Sequence, residues 1–408
     1  MNLRKILLVD DDPVTGRLLE PLFGEQGGQI LHAASGAAAL ERLEIDRPDL
    51  IIMDLSDQEL DGCRVCRDIR AIPDFDHTPI IIHAREGDGT LARNALAAGA
   101  NAFIAKPVEA SAFLDTVGQL LADRVELILW GVRGTMPVPG PNSLRFGGNT
   151  PCVSLCFPNK RFLIFDAGTG IRALDRSLRS IDKRRMAASI FISHPHWDHI
   201  NALPLFDPLY EKGNQFDIYG AAQGTQDIHQ LISAQMDGVY FPVTVHAFGA
   251  DVAFHTIHEQ TVDLDGIRIS SMLLNHPGNC LGYRVDYEGR SICYITDNEL
   301  YPEDLEQHDP DYVERLARFV GGADILITDT TYTDTEYREH INWGHSSVGE
   351  VVKLAHKAKV GKLFLFHHDP DQTDRDIANK LYTAREQLAA LGSDTQVIAP
   401  VESVRFQV

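Results

Sequence analysis

Four side chains able to bind a metal fall within six positions: His194, His196, Asp198 and His199, in "SHPHWDH" directly after the apolar run 190–192. In an extended segment residues i and i+2 point the same way, so His194 and His196 can share one cation. Asp198 and His199, at the following turn, can reach a second. Imidazole and carboxylate without thiolate favour Zn²⁺, Mn²⁺ or Fe over a structural Cys-type zinc site. More ligand-type residues stand where strands should end: His276 in "LLNHPGN", Asp297 in "CYITDNE" and His367 in "FLFHHDP". Two cations about 3.5–4 Å apart need a bridging ligand, and a carboxylate suits that role.

A second constellation lies near the start. Asp10, Asp11 and Asp12 follow one apolar run, Asp54 ends another, and Lys106 ends a third. In an open parallel sheet, the carboxyl ends of the strands form the crevice where ligands bind. Carboxylates converging there call for a hard cation, and Mg²⁺ suits two of them plus waters. The cation and Lys106 would neutralise a phosphoryl group while the Asp54 carboxylate attacks it, giving an acyl phosphate.

The elements that must hold these residues change style near residue 124. Before it, strand candidates at 5–9, 29–33, 50–53, 80–83 and 102–105 alternate with helical stretches, the last at 111–121. Five βα repeats predict a parallel sheet covered on both faces. The connection at 120–125 is too short for a flexible tether. After it, 14 of the 17 histidines appear, turns carry glycine, and strands crowd together. The expected strands are 126–132, 153–157, 162–165, 189–193, 216–219, 267–274, 282–287, 291–296, 325–328 and 362–366, with helices at 171–181, 226–235, 313–320 and 347–358. That mixture predicts two sheets flanked by helices. The loop 204–262 is expected to shape a pocket, with Tyr240 and Phe241 either stacking a base or packing the loop.

With 408 residues, two or three domains are expected. The net charge of -21 divides as -9 over residues 1–124 and -12 over the rest, so neither part is a basic arm. Such a surface repels phosphate backbones and anionic membranes. An anionic substrate needs a local cationic centre, which metal ions can provide. No apolar run reaches the ~18 residues of a membrane span. The basic start, whose apolar stretch stops at Asp10, does not read as a signal peptide. Six cysteines make no disulfide framework and point to a cytoplasmic location; Cys63 and Cys66 read as two residues on one helix face.

Residues 3–122 resemble the receiver domains of two-component response regulators, through "ILLVDDDP", "DLIIMDLSDQELDG" and "NAFIAKP". The resemblance implies a flavodoxin-like five-stranded α/β domain over 1–122. It makes Asp54 the phosphoacceptor, Asp10 and Asp11 the Mg²⁺ ligands, Lys106 the phosphoryl contact and a sensor histidine kinase the phosphodonor. Phe103 takes the place of the switch aromatic. His83 stands where receivers carry Thr or Ser, and Gln58 replaces a usual Pro.

Residues 126–408 resemble the metallo-β-lactamase superfamily, whose fold is an αβ/βα sandwich. That implies two divalent transition metals, Zn²⁺ first with Mn²⁺ or Fe as alternatives. His194, His196 and His276 would bind the first, Asp198, His199 and His367 the second, and Asp297 would bridge. "GVRGTMPVPGP", "FGGNTPCVSL", "DAGTGIR", "DTTYTDTEY" and "WGHSS" are similar to the ribonuclease Z and cyclic-phosphodiesterase branch. There His345 faces the substrate phosphate and, with the metal ligand Asp198, counts as catalytic, while Asp166 orients the histidine loop. His368 is expected to support the ligands or lie at the surface. Without a long basic arm for tRNA, a small phosphodiester is the expected substrate. An ester, lactone or β-lactam hydrolase and a non-catalytic signalling module are the alternatives. A diiron reductase is disfavoured, because that branch carries Glu where His196 stands. Neither a DNA-binding domain nor a membrane partner is expected, and a homodimer is allowed by analogy alone.

Overall fold

The segment KILLV at Lys5–Val9 is apolar on both faces, and it forms the buried strand β1 of a parallel sheet. Its companions are β2 (Gln29–Ala33), β3 (Leu50–Asp54), β4 (Ile80–Arg85) and β5 (Ala102–Lys106), in the order β2-β1-β3-β4-β5. Alternate residues point to opposite faces. Leu7, Val9, Ile51 and Ile82 accordingly enter one core, and Ile6, Leu8, Leu50 and Ile81 the other. Helices at Gly36–Asp46, Gly62–Arg70, Gly89–Ala97 and Ala110–Ala122 accompany the strands. Cys63 and Cys66 share the second of these, one half-buried and one buried, both as free thiols.

In this computed structural model the described residues are 5–10, 16, 19–21, 23, 28–54, 62–72, 75, 78–85, 89–106, 109–122, 125–158, 161–179 and 185–408. Asp11, Asp12 and Gln58 lie outside them. The chain divides into two compact units, 1–125 with 406–408, and 126–405.

The remaining strands form two seven-stranded sheets. The first runs β11-β10-β9-β8-β7-β6-β19, from β6 (Glu126–Gly131), β7 (Cys152–Cys156), β8 (Phe162–Phe165), β9 (Ala187–Phe191), β10 (Gln215–Gly220), β11 (Asp251–Thr256) and β19 (Arg405–Gln407). The second runs β12 to β18 in sequence order: β12 (Thr261–Leu264), β13 (Ile267–Leu273), β14 (Leu281–Tyr287), β15 (Arg290–Ile295), β16 (Ile325–Asp329), β17 (Lys362–Phe366) and β18 (Gln396–Ile398). Aromatic rings join the two sheets. Phe165 and Phe191 of the first lie 5.6 and 5.4 Å from Tyr283 of the second. Helices cover the outer faces. Ile171–Arg179 and Ile228–Gln235 pack on the first sheet, and Pro310–Phe319, Val348–Lys357 and Asp374–Ala390 on the second.

Four strands, β11, β12, β18 and β19, and the long helix 374–390 are additions to the sequence expectation. The segment 204–262 holds the expected strand and helix, as β10 and Ile228–Gln235, and adds β11. What matters for chemistry is polarity. Strands β8, β9, β15, β16 and β17 all deliver their C-terminal ends, with the residues just after them, to one place.

Candidate metal centre

The seven predicted ligands come together in two adjoining sets that share Asp297. Its Oδ2 faces His194 Nε2 at 3.5 Å and His276 Nε2 at 3.8 Å; His196 Nδ1 lies 2.8 Å from the first imidazole and 3.1 Å from the second. Its Oδ1 faces His199 Nε2 and His367 Nε2, each at 3.1 Å, and both of these are 3.3 Å from Asp198 Oδ2. Ligands held about 2.0–2.1 Å from a tetrahedral ion are separated by about 3.3 Å, so these spacings are compatible with two coordination shells. The carboxylate between them is disposed to bridge.

In four of the five imidazoles the inward-facing nitrogen is set by what the ring does on the other side. His199 Nδ1 meets Asp166 Oδ2 at 2.7 Å, His276 Nδ1 meets the Gly344 carbonyl at 2.9 Å, His194 Nδ1 meets Ser193 Oγ at 3.0 Å, and His367 Nδ1 meets Thr331 Oγ1 at 3.1 Å. A proton on the outer nitrogen leaves the inner lone pair for a cation. Asp166 also accepts from Ser193 N at 2.7 Å, Ser193 Oγ at 2.8 Å and Tyr294 Oη at 2.7 Å. It thereby ties the loop carrying the first four ligands to β15. Thr135 N donates to Asp198 Oδ2 at 2.7 Å. Gly344 has φ +84, and a Cβ there would fall 2.4 Å from His276 Nδ1. A side chain at Gly134 would collide with the His367 ring.

The residues fit divalent metals. His199 Nε2 is fully buried without a hydrogen-bond partner, aimed between Asp198 and Asp297. Burial pushes His199 down, yet Asp297, Asp198 and Asp166 outweigh it and raise the imidazole well above its ordinary value. Such a pocket demands positive charge, and a metal can supply it in place of that proton. All the donors are imidazole or carboxylate, which suits Zn²⁺, Mn²⁺ or Fe.

His345 stands beside the ligands, its ring centroid 4.9 Å from that of His367 and 5.4 Å from that of His276. Its Nδ1 is 2.7 Å from Asp329 Oδ2 at the end of β16. Burial opposes the charge, but Asp329 outweighs it and holds the imidazolium up to about 9. Asp329 was not singled out in the sequence, although "ILITD" repeats the strand-then-Asp form of "CYITD". Glu299 was also missed. This buried carboxylate accepts from Asn342 N, Gly344 N and Tyr337 Oη, each at 2.8 Å, and so fixes the turn before His345. His368 is no surface residue: it is wholly buried, and neither ring nitrogen has a hydrogen-bond partner.

The family model of a beta-lactamase superfamily domain matches residues 161–368. The chain belongs to the beta-lactamase superfamily. A response regulator receiver domain matches residues 6–118, so the superfamily hydrolase fold is joined here to a receiver. The chain is similar to ribonuclease Z of Thermoplasma acidophilum, 26% identical over 300 residues that span 63% of this chain and 90% of the relative. Its first part is similar to the transcriptional regulatory protein AfsQ1 of Streptomyces coelicolor, 34% identical over 30% of this chain and 50% of that one. The metallo-beta-lactamase fold protein YhfI of Bacillus subtilis aligns with a TM-score of 0.50 and 15% identity, covering 70% of this chain and all of its own, which establishes the shared fold.

In the receiver, Asp10 and Asp54 are buried at the ends of β1 and β3. Lys106 Nζ at the end of β5 is 2.5 Å from Asp54 Oδ2. His83 is paired in register with Asp54 on the neighbouring strand; it is buried, with neither ring nitrogen hydrogen-bonded. Burial and then Lys106 push its pKa down. Phe103 is half-buried on β5.

Proposed function

We propose that the chain is a two-component response regulator whose output is a binuclear metal-dependent phosphodiesterase acting on a small, cyclic-nucleotide-like phosphodiester. The observation that carries this reading is Asp297 between two donor sets, with the imidazole of His345 beside them. In it, His194, His196 and His276 would hold one metal, Asp198, His199 and His367 the other, and Asp297 would contribute to both. Bound divalent cations lower the pKa of a water toward ~7 and neutralise phosphoryl oxygens, which is the chemistry they supply here.

The chain's own residues do the rest. His345, protonated at neutral pH by its contact with Asp329, donates a hydrogen bond to a phosphoryl oxygen. It can then pass its proton to the departing alkoxide. Asp329 holds the ring so that Nε2 is the donating atom. Asp166 and Ser193 keep the ligand loop from relaxing when the charge on the substrate changes. Ribonuclease Z also carries out phosphodiester chemistry, but the acidic residues 125–408, net -12, favour a small substrate over a polynucleotide.

In the receiver, Asp54 accepts a phosphoryl group from a sensor histidine kinase with Asp10, Asp11 and Mg²⁺ in attendance, and Lys106 transfers its contact to the new phosphoryl oxygens. Among the described residues no helix is long and apolar enough to cross a membrane. Hydrolysis of bis(p-nitrophenyl) phosphate by the Zn- or Mn-loaded chain, beside an Asp297→Ala variant, tests the reading. Turnover that falls to background in the variant supports it. Turnover of p-nitrophenyl acetate but not of the diester would transfer the assignment to ester or lactam hydrolysis.

A further inference from the structure

Two of the chain's three tryptophans lie open to solvent: Trp197 is 83% and Trp343 60% exposed, whereas Trp130 is buried. Their positions follow the metal centre. Trp197 sits between the ligands His196 and Asp198, and Trp343 adjoins Gly344, whose carbonyl holds His276 Nδ1. The centre itself is unevenly covered. His194, Asp198, His199, Asp297 and His367 are buried, while His196 is exposed and His276 half-buried. A substrate therefore reaches the donors from the side of His196 and His276, and each of those residues has an exposed indole next to it or to its backbone support.

Neither indole sits on a loose segment. Trp197 opens the short helix Trp197–Ile200, with His196 at its N-cap position. Trp343 lies in the turn that Glu299 grips through Asn342 N and Gly344 N. Its ring meets His340 edge-on at 4.7 Å, and His340 stacks on Tyr332 at 4.3 Å. Large aromatic faces on fixed backbone give contact area at little entropic cost. A flat aromatic group is the handle that two exposed indole faces can grasp.

We infer that Trp197 and Trp343 are specificity-determining residues that stack a planar, nucleobase-like group of the substrate beside the metal centre. The inference rests on the phosphodiesterase reading for the reaction, but the stacking can be measured without turnover. Tryptophan fluorescence of the full-length, metal-loaded chain is followed while adenosine monophosphate or inorganic phosphate is added. Adenosine monophosphate should quench strongly and inorganic phosphate should not, and the quench should disappear in the Trp197→Ala, Trp343→Ala double variant, which retains Trp130. With bis(p-nitrophenyl) phosphate, each single variant should raise KM about tenfold with kcat nearly unchanged, and Trp343→Phe should recover most of the loss. Nucleotide binding of equal affinity in wild type and double variant, or an unchanged KM, would overturn the inference and leave the phosphodiesterase reading standing. Tryptophan-dependent quenching in a chain that hydrolyses no diester would do the reverse.

Discussion

At the end of β3, Asp54 meets Lys106 of β5 at 2.5 Å; at the end of β15, Asp297 faces four imidazoles 3.1–3.8 Å away. Both are buried carboxylates at the carboxyl edge of a sheet, and both would be costly without compensation. In the receiver the compensation includes an ion pair on a long side chain, which a covalent phosphoryl group would redirect. In the hydrolase unit it is a cage whose outer nitrogens are tied to Asp166, Gly344, Ser193 and Thr331. Burial opposes charge on Asp297, yet His367, His199 and His194 keep its carboxyl well below the ordinary range. The contrast separates a site built to change state from one built to keep its geometry, and each half of it can be tested.

The largest effect should come from His345→Gln, which keeps a polar ring-sized donor but removes the imidazolium. Diester turnover should fall by about 10²–10⁴-fold while metal content, read by elemental analysis, stays the same. An equal loss of metal would make His345 a ligand instead. Asp166→Asn strikes the cage from behind. It should weaken metal affinity by about 10–100-fold in a chelator competition, with the remaining loaded enzyme still active. Asp54→Asn addresses the other side of the contrast: basal turnover should be unchanged, whereas incorporation of phosphoryl from acetyl phosphate should vanish. A loss of basal activity in this variant would contradict the division of labour.

The smallest effect concerns the support behind Thr331. Lys380 Nζ donates to the Thr330 and Thr331 carbonyls at 2.6 and 3.2 Å, and burial pushes its pKa down to about 7. An unfolded lysine keeps its proton to about pH 10.5, so between those values the unfolded chain binds more protons and folding stability rises with pH. Subtracting the Lys380→Met stability profile from that of the wild type should leave a slope of that sign above pH 7. A flat difference would show that Lys380 stays charged in the fold.

The local grammar of the sequence carries much of this. Every predicted ligand follows an apolar run that is a buried strand or leads out of one, and the receiver sheet is readable because its central strands β1 and β3 are apolar on both faces. What stayed hidden has physical causes. The helix 374–390 shows a weak stripe, because Lys380 occupies one of its four buried positions, with Ile377, Ala384 and Leu388. Strands β11 and β12 alternate between exposed and half-buried residues, as edge or near-edge strands do, and so lack an apolar signature. Glu299 and Asp329 look like ordinary acids in the sequence. Only the fold shows that one receives two amide protons from a distant turn and the other orients a histidine 16 positions away.

The central claim is that one carboxylate joins two metal sites into a single reaction centre. Its most direct test is to titrate the metal-free chain with Zn²⁺ or Mn²⁺ while following bis(p-nitrophenyl) phosphate hydrolysis. Activity that climbs to saturation at two equivalents per chain is the predicted result. Full activity at one equivalent, or none at any loading, would contradict it.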